Sequence, residues 1–120
     1  MTAAAERGAL RTALAAAIPT AALYAMPPMS IAGLSLVIAP DGWRTNTTAQ
    51  VDYQVSVSVL NNGPDTGQAL EDLEANAAIA WKATAAAGWQ VGDMNGPEAV
   101  TYADQPYLAM TFTARRITTL

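Results

Sequence analysis

Glu71, Asp72 and Glu74 form the densest group of titratable side chains in the sequence. Clustered carboxylates can hold a divalent cation or share acid–base work. The same spacing also suits the opening of a helix, whose dipole draws acids to its start. The helix signals around them, given below, favour that plainer reading. Two glycine-bearing stretches, GPDTG at 63–67 and DMNG at 93–96, are candidate anion loops. A phosphate loop also needs a lysine closing its glycine run, and neither stretch has one. Both read as turn chemistry.

The chain has no histidine and no cysteine. Disulfides, thiolate metal sites, ordinary zinc centres and histidine-based general base catalysis are therefore excluded. No cofactor or metal ligand set is legible. Trp43, Trp81 and Trp89 are candidate stacking residues. Trp81 falls on the apolar side of a helix and reads as core. Trp43 sits beside Arg44 in a polar stretch. An aromatic–arginine pair of that kind fits either a subunit interface or a loop anchored on its own core.

These 120 residues suit one domain, 1–120, and 52% of them are hydrophobic. Many of those are alanine, so the core is expected to be thin and partner subunits to complete it. The formal net charge is −4, and the basic residues are scattered as Arg7, Arg11, Arg44, Lys82, Arg115 and Arg116. That leaves no basic stripe for nucleic acid. No segment reads as a membrane span. The alanine-rich start is a poor signal peptide, because Glu6 is acidic, Pro19 cuts the apolar run and no small-x-small cleavage site follows. The Asn46–Thr48 sequon is read as chance, and a cytoplasmic location is expected.

The elements that position these residues follow from periodicity. Residues 3–18 place Leu10, Leu14, Ala17 and Ile18 on one helical face, with Glu6, Arg7 and Arg11 expected on the polar side. Strands are expected at 20–26 and 34–40, with Pro27–Pro28 between them and a polar, turn-rich stretch at 41–50. In VDYQVSVSVL, Val51, Tyr53, Val55, Val57 and Val59 alternate with Asp52, Gln54, Ser56 and Ser58, which predicts a strand with one buried face. Asp65 reads as an N-cap, with Gln68 completing a capping box. Leu70, Leu73, Ala77, Trp81 and Thr84 line the helix that follows, Ile79 lies off that stripe, and Gly88 ends it. WQVGDM, EAVTYA and YLAMTFTARRI read as three more strands, with NGP as a turn. The fold class is α+β, a mostly antiparallel sheet with two helices packed on one face. Outside the protomer core, Trp43, Arg44, Ile79, Arg115 and Arg116 are the candidate subunit or partner interface.

Taken in order, ALYAMPP, LSLVIAP, VDYQVSVSVL, GPDTGQALEDLEANAAIAWKA and YLAMTFTARRIT resemble the tail terminator, or tail completion, and neck proteins of long-tailed bacteriophages. The resemblance spans nearly the whole chain and rests on pattern and length, not on an invariant signature. It implies a non-enzymatic virion protein at the tail–neck junction, assembled in the host cytoplasm. It also implies a homo-oligomeric ring, usually hexameric, that caps the tail tube protein and meets the head–tail connector. DNA would pass through the lumen without specific binding. The competing class is a small ligand-binding or enzymatic α+β domain, dimeric through its sheet, with a pocket built from Tyr24, Tyr53, Trp89 or Tyr102.

Overall fold

The computed structural model describes residues 2–24, 33–61, 67–102 and 105–120. The expected Asp65 cap and the Pro27–Pro28 connection lie outside the described residues. The elements are α1 (Ala3–Ala17), β1 (Ala22–Tyr24), β2 (Leu34–Thr45), β3 (Gln50–Asn61), α2 (Gly67–Ala86), β4 (Gln90–Val91), β5 (Asn95–Tyr102) and β6 (Gln105–Thr119). The fold is α+β. The sheet runs β1-β2-β3-β6, and β6 pairs on its far side with both β4 and β5. All pairings are antiparallel except β1 with β2.

The alternation in β3 is realised as read. Val51, Val55, Val57 and Val59 are fully buried and Tyr53 nearly so. Their cross-strand partners Leu36 and Ile38 on β2, and Phe112 and Ala114 on β6, share the same face by register. Leu10, Leu14 and Ile18 from α1, and Leu73, Ala77 and Ala80 from α2, close the core over them. Both helices thus cover one face of the sheet. Thr2 caps α1, its side chain accepting from the Ala5 amide.

The C-terminus of α2 is a complete Schellman motif. Gly88 has φ +97°, its amide reaches the Ala85 carbonyl, and the Trp89 amide reaches Thr84. A side chain at Gly88 would also meet the Arg116 guanidinium at 2.7 Å. The buried stripe of α2 is Ala69, Leu73, Ala77, Ala80 and Thr84. Trp81 sits at its margin, packed against the core and donating Nε1–H to the Gly92 carbonyl at 2.8 Å.

Three expectations are corrected. The stretch 41–50 is not all loop: β2 continues to Thr45 through a bulge between Pro40 and Gly42. The extra residue, Asp41, bends the strand and flips its parity. NGP is not a hairpin turn, because it lies inside β5 at a register shift where Gly96 takes φ +113°. Glu6 is not on the polar side of α1: it is 6% exposed, one turn before Leu10 on the buried stripe.

Glu6 is tolerated there because Arg116 Nε reaches its Oε2 at 3.2 Å. Arg116 Nη1 also donates to the Ala87 carbonyl at 2.8 Å, just past the end of α2. One strand side chain therefore ties both helices to the sheet, with its charge placed favourably at a helix C-terminus.

Candidate functional site

The face of the sheet away from the helices carries a different surface. Asp52, Gln54, Ser56 and Ser58 of β3 lie there beside Thr111, Thr113 and Arg115 of β6. Ser58 and Thr111 hydroxyls meet at 3.1 Å. A second small cluster of Val37, Leu60, Tyr107 and Ala109 is buried on this side, with Tyr24, Ala39 and Val100 packed against it. Uncharged hydroxyls across neighbouring strands make a polar face that costs little to cover.

The sequence-predicted interface residues fall in separate places. Trp43 is a strand residue opposite Tyr53, on the helix side of the sheet, and is 60% exposed. It borders a cleft with Ala3, Arg7 and Gly42 near the start of α1. Arg44 points to the open face opposite Asp52. Asp52 is already engaged, since Arg115 holds it through two nitrogens at 2.8 and 3.3 Å. Among the described residues Arg44 has no ion pair. Ile79, 44% exposed, stands on the outer side of α2 among exposed Ala75, Ala78 and Lys82. Arg115 and Arg116, adjacent in sequence, diverge to opposite faces, and each has a carboxylate partner within the chain.

The acidic trio stays dispersed. No acid lies in the first turn of α2, so the dipole expectation, which acts mainly over one turn, does not account for Glu71, Asp72 and Glu74. Asp72 accepts from Gln68 at 2.9 Å. Among the described residues no three potential ligands are grouped closely enough for a metal ion. Of the aromatic residues proposed for a ligand pocket, Tyr24, Tyr53 and Trp89 fail to converge, and the side chain of Tyr102 lies outside the described residues. Tyr53 and Trp89 pack against each other in the core, ring centres 6.1 Å apart. Tyr24 belongs to the other cluster, across the sheet.

Two features escaped the sequence reading. Ile117 is 56% exposed on the open face, where period-two reading of β6 stopped short of assigning it. A groove of about 400 Å³ lies between α2 and the β4–β5 segment, floored by Trp81, Met94 and Met110 and rimmed by Glu74, Lys82 and Asp93. Its walls come from residues distant in sequence, and no local pattern announces it.

No protein-family model and no curated protein matches the chain. Among solved structures, a chain of "Virion of native gene transfer agent (GTA) particle" aligns with 20% sequence identity and a TM-score of 0.48. The alignment covers 91% of this chain and 92% of that chain. A likeness of that size is too slight to carry either fold or function across.

Proposed function

We propose that this chain is a structural virion protein. It forms a ring that caps a phage tail tube, ends tube polymerisation and joins the tail to the head connector. The reading starts from the tail-terminator resemblance, which runs through the chain in order. The observation that carries it furthest is how the apolar surface is distributed. Helices cover the centre of one face of the sheet, while Trp43, Ile79 and Ile117 stand exposed at three separate places. An enzyme or ligand-binding domain concentrates its exposed apolar and reactive groups in one concavity. A ring subunit needs several contact surfaces, for its neighbours and for what lies above and below.

Shape supports the same reading. The protomer extends 49 × 27 × 22 Å, with an exposed β2–β3 hairpin end beside the start of α1. Its surface is mildly acidic overall, which suits a lumen through which DNA slides without sticking. Purified protein added to polymerising tail tubes tests the role. Tubes that stop growing and carry a cap at one end support it; tubes whose length distribution does not change contradict it.

A further inference from the structure

The charges of this protein are sorted. Among the described residues, ion pairs occupy Arg115 with Asp52 and Arg116 with Glu6. Of the remaining cations, Arg7, Arg11 and Arg44 all lie on the β1–β2 side. Arg7 borders the Trp43 cleft, Arg11 donates to the Leu23 carbonyl of β1, and Arg44 is on β2 itself. Among the described residues the remaining acids gather on the opposite side: Glu71, Asp72 and Glu74 on α2, Asp93 before β5, and Glu98 on β5. Each side has one exception. Asp41 lies on the β2 bulge, where Gln54 holds it at 2.7 Å, and Lys82 lies on the groove rim.

Apolar surface is sorted with the charge. The cationic side presents Trp43 as a projecting knob. The acidic side presents the groove floored by Trp81, Met94 and Met110. Methionine adapts its shape to an incoming aromatic ring, and a tryptophan can bury roughly 150–250 Å². Knob and groove cannot meet within one chain. Two strands separate β2 from β5, about 14 Å, and Met110 lies about 20 Å along β6 from Arg116, the register neighbour of the Tyr53–Trp43 pair.

We propose that the Trp43 edge of one copy docks into the α2–β5 groove of the next. Trp43 packs on Trp81, Met94 and Met110, and Arg7, on the same side, faces the carboxylates of Glu74 and Asp93. Arg44 reaches them from the other face, around the free edge of β2. The contact is head-to-tail, because two different surfaces of the same chain meet. Such contacts generate closed rings when the rotation between copies closes. A buried tryptophan flanked by arginine against an acidic rim has the composition of an interface hot spot. This docking deepens the ring reading and takes only the closure of the assembly from it.

The chain has no cysteine, so introduced thiols report contacts without background. Thr45 is exposed on the same face of β2 as Trp43, and Ala78 is exposed in the groove wall. Thr45→Cys and Ala78→Cys proteins, treated with a short bis-maleimide, should cross-link when mixed and not when treated singly. Arg44→Glu should raise the concentration for half-assembly about tenfold or more, and the Arg44→Glu/Glu74→Arg double variant should recover most of that loss. Recovery by the second charge reversal excludes misfolding as the cause. Mixed Thr45→Cys and Ala78→Cys proteins that form rings without a cross-link, or Thr45→Cys protein that cross-links equally by itself, overturn the docking and leave the ring reading standing. A chain that stays monomeric both alone and beside tail tubes overturns both.

Discussion

The two faces of one strand show what each part of this molecule is for. On β3, Val55, Val57 and Val59 have no exposure and lie under two helices, while Ser56 and Ser58 on the other face are half-buried and hydroxylated. The backbone, the register and the neighbours are the same; only the side-chain alternation differs. The covered centre of the helix side makes the protomer, and that side is open only at its ends, at Trp43 and at the groove beside α2. The open side and the two edges hold the exposed Ile117, Arg44 and the engaged Asp52–Arg115 pair. Stability is therefore expected to respond to the residues under the helices, and assembly to the exposed ends and edges.

The largest effect that would sharpen this contrast is at Phe112, fully buried at the centre of the helix-covered face. Phe112→Ala should cost about 3–5 kcal/mol, read as a loss of folded protein in urea titration. Unfolding unchanged by that substitution would mean that the helices do not pack as described. Next comes Arg116, whose removal leaves the Glu6 carboxylate without its partner and the Ala87 carbonyl without its donor. Arg116→Ala should cost about 1–3 kcal/mol. Glu6→Gln combined with Arg116→Ala should be less destabilising than the sum of the single changes, because the unpaired buried charge is gone. Additive costs in that cycle would show that the two groups do not interact.

The smallest effect belongs to the open face. Arg115 is half exposed, and its pair with Asp52 is a surface salt bridge. Arg115→Ala should change monomer stability by under ~1 kcal/mol. If it proved as costly as Phe112→Ala, the division of labour between the faces would be broken.

Much of the fold was legible because its signals are local. The alternation of Val51–Val59 and the Gly88 stop of α2 each depend on a few neighbouring residues and are found where the pattern puts them. The α2 stripe keeps Leu73, Ala77 and Thr84 but buries Ala69 and Ala80 in place of Leu70 and Trp81. Expectations went wrong where a single residue changes the phase. Asp41 inserts one position into β2, so a polar stretch that reads as loop continues as strand and turns Trp43 to the helix side. Gly96, whose Cβ position would lie 2.7 Å from the Ala109 carbonyl, lets β5 carry NGP without turning back. Glu6 shares i, i+4 spacing with Leu10 and Leu14, so its burial was encoded in the same stripe. Charge type outweighed position in the reading, and its partner Arg116 lies at the other end of the sequence.

The candidate surfaces were less legible than the fold. Trp43, Arg44 and Ile79 could be picked out because each breaks its local pattern. The groove opposite them could not, since Glu74, Met94 and Met110 are brought together only by tertiary packing. Pairing of Arg115 and Arg116 to opposite faces follows from strand alternation alone, but their partners on β3 and α1 are set by register and helix placement.

The central claim is that this chain is a ring subunit. Light scattering of the purified wild-type protein across a range of concentrations tests it most directly. A ring subunit gives a closed assembly of about six copies whose mass reaches a plateau and does not grow further. A strict dimer at every concentration would contradict it and favour a sheet-paired binding domain.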